Sequence, residues 1–174
     1  MVRKSLYGVL TAALLVVGAQ STEAQLPSLL HFNVNGGAAM PMSEAGDVWN
    51  AGLRVGAGVE LKAPLIPVGL RVDGAYDRMG LKLDGGTKLS ILSGTVNGTF
   101  TLPIMPIYMV GGIGMYRMDA GDGATSNEFG FNAGLGIRLP LPFLPSPFVE
   151  ARLNQINSEG ESFRYVPIVA GIRF

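Results

Sequence analysis

The sequence predicts an all-β fold: an eight-stranded antiparallel transmembrane β-barrel, an up-and-down meander, behind an amino-terminal signal peptide. Three observations carry this. The chain ends on Tyr165-Val-Pro-Ile-Val-Ala-Gly-Ile-Arg-Phe174, where Val166, Ile168, Ala170, Ile172 and Phe174 share one parity and make an apolar face that stops on an aromatic residue. Proline-rich apolar turns alternate with polar glycine, aspartate or serine loops. Between them, most segments show two unlike faces with a period of two residues, as a wall between lipid and a polar interior requires.

Met1-Val-Arg-Lys4 is basic, Leu6 to Gly18 is nearly uncharged and mostly apolar, and small residues stand at Ala19 and Ala24. This is the pattern of a signal peptide over residues 1–24, cleaved after Ala19 or Ala24, and too short for a confident membrane helix. Residues 25–174 then form the barrel domain, about 150 residues and one domain's worth of chain.

Three turns, Ala63-Pro-Leu-Ile-Pro67, Leu102-Pro-Ile-Met-Pro106 and Leu139-Pro-Leu-Pro-Phe-Leu-Pro-Ser-Pro147, recur about every forty residues. Four polar loops lie between and beyond them, at Pro41–Asp47, Asp77–Gly86, Asp119–Ser126 and Asn157–Glu161. Proline cannot donate to a sheet ladder, and glycine with aspartate or asparagine accepts turn dihedrals, so both classes mark strand ends. The seven connections delimit eight strands, placed at 31–40, 50–62, 67–77, 87–101, 106–118, 128–139, 147–156 and 163–174. An even count puts both termini and the proline turns at one end, the periplasmic one, and the polar loops at the other.

The second strand turns Leu53, Val55, Ala57, Val59 and Leu61 outward and Arg54, Glu60 and Lys62 inward. The third sets Val68, Leu70, Val72 and Tyr76 against Arg71, Asp73 and Asp77, and the sixth sets Phe129, Phe131, Leu135 and Ile137 against Asn132 and Arg138. In the seventh, Val149, Ala151 and Leu153 oppose Glu150, Arg152 and Asn154. The fourth is mixed: Leu89 and Ile91 lie on one parity and Leu92, Val96 and Phe100 on the other, which implies a bulge near Ile91-Leu92 or a later start. The fifth, apolar on both parities, is assigned with Tyr108, Val110 and Tyr116 outward so that Arg117 and Asp119 point inward or into the loop, and the reverse is the alternative. Pro167 removes one donor from the last strand, and a bulge or a staggered end is expected to absorb it.

The inward charges form the candidate site. Arg54, Arg71, Arg138, Arg152 and Arg173 face Glu60, Asp73, Asp77 and Glu150, an expected lumen network of paired charges concentrated toward the terminal half of the barrel. Opposite charges in a narrow lumen persist only when paired and hydrogen-bonded, and an eight-stranded wall leaves room for packed side chains or one small ligand. Inward glycines such as Gly56, Gly58, Gly134 and Gly136 provide space beside the long arginines. Trp49, Tyr76, Tyr116, Phe129 and Phe163 near the loops, with Phe100, Phe148 and Phe174 near the turns, are expected to form two aromatic belts.

Acidic and basic side chains balance at 13 each, which gives no electrostatic reason to expect nucleic acid. With no cysteine and one histidine, His31 at the rim, no transition-metal site or cofactor is expected. No serine stands near His31 in a nucleophile–base spacing, so the chain is not read as an enzyme. Glu44, Asp47, Glu159 and Glu161 are read as solvated loop carboxylates, with a weak divalent-cation site as the lesser alternative.

The leader, the amphipathic segments, glycine-rich strands such as Tyr108-Met-Val-Gly-Gly-Ile-Gly-Met-Tyr116, and the ending Val169-Ala-Gly-Ile-Arg-Phe174 together resemble the OmpA-like or OmpX-like small outer-membrane barrels, sometimes grouped as porin-family proteins. The resemblance spans residues 25–174 and rests on architecture, without a specific biochemical motif. It implies a monomeric, cofactor-free component of the bacterial outer membrane that contacts its lipids and lipopolysaccharide. It also implies that Phe174 is read by the barrel-assembly machinery. Without a peptidoglycan-binding domain after the barrel, tethering to the cell wall is not expected. A structural barrel with a closed, charge-paired lumen is the leading expectation; a narrow porin and a surface adhesion or lipid-binding module are the alternatives. A lipocalin-like barrel, which would need a hydrophobic cup inside, is the alternative fold.

Overall fold

The structure, a computed structural model, describes residues 29–42, 44–63, 65–81, 88–121, 125–139, 141, 144–158 and 161–174. The expected leader, residues 1–24, lies outside the described residues, as does Glu159. The elements run β1 (Leu30–Pro41), α1 (Glu44–Val48), β2 (Gly52–Leu61), β3 (Val68–Gly80), β4 (Lys88–Thr101), β5 (Ile107–Asp119), β6 (Thr125–Arg138), β7 (Ser146–Ser158) and β8 (Glu161–Arg173). Each strand pairs antiparallel with its sequence neighbours, and β8 returns to β1 to close the barrel. Closure is what lets a sheet cross hydrocarbon, because no backbone donor or acceptor is left at an edge.

The outer wall is apolar on every strand. Phe32, Val34, Val55, Val72, Val96, Ile113, Phe131, Leu135, Val149 and Ile172 are all exposed, while the charged and hydrogen-bonding side chains Arg54, Glu60, Arg71, Asp73, Asp77, Asn97, Glu150 and Arg152 are buried in the interior. This polarity is the inverse of a soluble barrel and rules out the lipocalin-like alternative, since so continuous an apolar surface is stable only against lipid. No helix among the described residues is long and apolar enough to cross a membrane.

Several sequence expectations are corrected. The first polar loop contains the short helix α1, which hydrogen-bonds Trp49 N to Ala45 O at 2.9 Å. In β4 there is no bulge: pairing with β3 runs without a slip from Gly80↔Lys88 to Val68↔Phe100. Leu89 and Ile91 point into the barrel with Ser93, Thr95, Asn97 and Thr99, so the mixed hydropathy reflects an interior that is itself apolar near the loops. In β5 the parity is the reverse of the one assigned. Tyr108, Val110 and Tyr116 are buried inside, whereas Met109, Ile113 and Met115 are exposed on the wall and Arg117 is exposed beyond them. The phenol groups decide this, because each finds a hydrogen-bond partner inside that lipid cannot offer, and thioether and aliphatic side chains need none.

Pro167 sits in β8 without a bulge. Pairing with β7 lapses between Ala151↔Ile168 and Asn154↔Tyr165 and resumes in the same register, so the lost donor interrupts the ladder without shifting it. The aromatic belts are thinner than expected. Tyr76, Phe129, Phe100 and Phe174 are exposed on the outer face, but Tyr116 and Phe148 are buried inside, and Trp49 and Phe163 fold over the interior at the loop end.

Candidate functional site

The interior of the barrel is the site, and it is layered along the axis. At the loop end Ala39, Met79, Leu89, Ile91, Tyr116, Ile156 and Tyr165 form an apolar plug, covered by Trp49, Met118 and Phe163. Below it Arg54 and Asp77, directly opposite on β2 and β3, pair through Arg54 Nη1 at 2.9 and 2.6 Å from the two carboxylate oxygens. The Tyr165 hydroxyl donates to Asp77 Oδ2 at 3.2 Å, tying the first ionic layer to the plug.

The middle layer is a four-membered ring of charge. Arg71 lies 3.0 Å from Asp73 and 2.7 Å from Glu150, while Arg152 lies 2.8 Å from Asp73 and also pairs with Glu150. Arg71 and Asp73 stand two residues apart on β3, and Glu150 and Arg152 two apart on β7, so each pair shares its strand's inner face. In a closed ring of eight strands β3 and β7 are diametrically opposed. The ring therefore spans the lumen and braces one side of the wall against the other. Asn97 donates to Asp73 at 2.9 Å, Asn132 donates to Asn97 at 2.9 Å, and the Tyr108 hydroxyl donates to Glu150 at 2.7 Å. A Cβ at Gly136 would fall inside the Tyr108 ring, so this glycine provides the space in which the tyrosine lies.

The third layer, at the proline-turn end, centres on Glu60. Its carboxylate lies 2.9 Å from Arg173 and 3.3 Å from Arg138 and accepts from the Thr99 hydroxyl at 2.7 Å. Arg138 reaches it from β6, opposite β2, with its guanidinium stacked 4.6 Å from the centre of the Tyr108 ring. Beside Arg54, Asp73, Arg152 and Pro167, at the level of the ring, lies a cavity of about 10 Å³. That is scarcely room for one water molecule and none for a hydrated ion.

All nine residues of the expected network are thus inside the barrel and in three contacting groups: Arg54 with Asp77; Arg71, Asp73, Glu150 and Arg152; and Glu60 with Arg138 and Arg173. Sequence reasoning missed their neutral partners, Thr99, Asn97, Tyr108 and Tyr165. For Asn97 and Thr99 the signal was present, since they share the parity that faces away from Leu92, Val96 and Phe100. His31 lies at the proline-turn mouth beside Lys62 and Arg173. Ser93 donates to the Ala75 carbonyl at 3.4 Å inside, and Ser90 accepts from Tyr76 at 3.0 Å outside, so neither meets the histidine. Among the described residues no three histidine, cysteine or acidic side chains converge as a metal site. Phe174 lies on the outer parity, its backbone bonded both ways to Phe32 at 2.8 and 3.2 Å.

No protein-family model and no curated protein sequence matches the chain. Solved structures do. Neisserial surface protein A aligns with a TM-score of 0.65 at 15% identity, covering 84% of this chain and 96% of that one. Ail, the attachment invasion locus protein of Yersinia pestis, aligns at 0.53 and 13% identity over 83% and 97%. A major outer membrane protein from Thermus thermophilus aligns at 0.51 and 14% identity over 84% and 100%. At these identities the likeness is one of fold: the chain is an eight-stranded antiparallel β-barrel of the outer-membrane type, closed around a charge-paired lumen.

Proposed function

We propose that this protein is a structural, non-conducting component of the bacterial outer membrane. The observation that carries the proposal is the ring of Arg71, Asp73, Glu150 and Arg152 across the axis, with an apolar plug above it. A pore would need a continuous aqueous path, and here the inner face is taken up by contacts between opposite walls.

The same reading includes monomeric insertion after removal of the 1–24 leader, recognition of the last strand and Phe174 by the barrel-assembly machinery, and a surrounding shell of lipid and lipopolysaccharide. Arg78, Lys88 and Arg117 support the last point. They are exposed on the outer parity of β3, β4 and β5 at the loop end, where phosphate groups of lipopolysaccharide would meet the wall.

The test is single-channel recording of the refolded chain in a planar bilayer, after heat-modifiable migration has established folding. Folded, inserted protein is expected to give no conductance steps, and reproducible steps from the parent protein would overturn the proposal. Phe174→Ala is expected to slow assembly into membranes by the purified machinery while leaving the folded barrel's migration unchanged; equal assembly rates would remove the assigned role of Phe174.

A further inference from the structure

The charges of the lumen do not balance evenly along the axis. Arg54 offsets Asp77, and Arg71 and Arg152 offset Asp73 and Glu150. At the proline-turn mouth, however, Lys62, Arg138 and Arg173 face one carboxylate among the described residues, that of Glu60. The excess of two positive side chains is confined to this end.

The donors there are also incompletely used. Arg173 Nε lies within ion-pair distance of Glu60 but is not aligned as a hydrogen bond, and Arg138 Nε and His31 Nδ1 find no partner among the described residues. Lys62, just past the end of β2, gives one donor to Thr101 Oγ1. Its pKa lies below the ordinary lysine value because burial, then Arg138 and Arg173, oppose its charge against the pull of Glu60.

An open cavity of about 600 Å³ lies at this mouth, and its lining includes His31, Lys62 and Arg173 together with Leu65, Ile66 and Leu102. Leu65 is fully exposed and holds a left-handed backbone, φ 65°, a conformation that residues other than glycine rarely adopt. The next proline turn repeats the feature at Ile104, φ 77° and equally exposed. Both turns thus hold an exposed aliphatic side chain at the proline-turn end of the barrel.

We propose that this mouth binds an amphiphilic anion, its phosphate or carboxylate head held by Lys62 and Arg173 and its alkyl chain laid along Leu65, Ile66 and Leu102. The head group would offset the charge excess and the chain would cover the lip, which is more than a simple ion can do. A membrane phospholipid and a free fatty acid share this chemistry and differ in the head.

His31 is the sole histidine, so its imidazole resonances report the cavity directly. The full mature chain, carrying isotope-labelled histidine in a nonionic maltoside micelle, is titrated with hexyl phosphate, hexanoate and inorganic phosphate. A saturable His31 shift is expected with hexyl phosphate, hexanoate or both, about tenfold tighter than with inorganic phosphate. Preference between the two alkyl anions separates the phospholipid source from the fatty-acid source. Lys62→Gln, which touches neither the central ring nor Glu60's hydrogen bonds, is expected to weaken binding about tenfold with unchanged heat-modifiable migration. The double variant Leu65→Ser, Ile66→Ser is expected to erase the alkyl advantage while leaving inorganic phosphate binding as it was. Shifts that never saturate, affinities equal for inorganic phosphate and both alkyl anions, or titrations unmoved by Lys62→Gln would overturn the proposal.

Discussion

The two ends of the lumen solve one packing problem with opposite chemistry. Near the loops, Met79, Leu89, Ile91, Ile156 and the rings of Tyr116 and Tyr165 fill the cross-section by dispersion and shape. Toward the proline turns, arginines and carboxylates fill it by paired charge. The apolar half tolerates the loss of a side chain as a cavity, whereas the ionic half cannot lose one member without leaving its partner buried and uncompensated. The tyrosines join the halves, with an apolar ring in one environment and a hydroxyl in the other.

That contrast breaks most sharply at the ring. Asp73→Ala leaves Arg71 and Arg152 with one shared carboxylate and is expected to destabilise the barrel by about 3–5 kcal/mol, read from urea unfolding in lipid vesicles. Replacing all four ring residues together by methionine and leucine is expected to cost less than this single change; a costlier quadruple variant would show that the ring contributes net stability and does not merely avoid stranded charge. In the apolar half, Ile91→Ala is expected to cost about 2–4 kcal/mol by the same measurement, as transfer energy plus a cavity. A loss below about 1 kcal/mol would mean that water already enters from the loop end.

Smaller effects sharpen the boundary. Gly136→Ala forces Tyr108 off its seat and is expected to cost about 1–3 kcal/mol, and Tyr108→Ala in the same chain should recover part of the strain. Additive losses in that double-mutant comparison would deny the contact. Tyr165→Phe removes one donor from Asp77, which keeps Arg54, and is expected to cost about 1 kcal/mol.

How much of this was legible follows from the same contrast. Where the interior is ionic, as along Arg71, Asp73 and Asp77 of β3 or Glu150 and Arg152 of β7, residue parity alone separates the two faces. Where it is apolar, parity carries no sign. Leu89 and Ile91 then look like a register slip, and Tyr116 looks like a membrane anchor, although both strands are regular. Phe148 is a different case: it stands two residues before Glu150, on the inner parity of β7, and only its aromatic character pointed to a belt.

The order of turns and loops, the outward faces of β2, β3, β6 and β7, and the identity of the charged residues were written in local sequence, because strand period and turn chemistry act over a few residues. Which charges meet across the lumen was decided by closure. The pair Arg71 and Asp73 and its mirror image Glu150 and Arg152 are separated by 79 positions from arginine to glutamate. They become neighbours only when the eighth strand returns to the first and sets β3 and β7 across a lumen narrow enough for two side chains to span. The same closure crowds Lys62, Arg138 and Arg173 around Glu60, because no local rule balances charge between strands that meet only in the finished barrel.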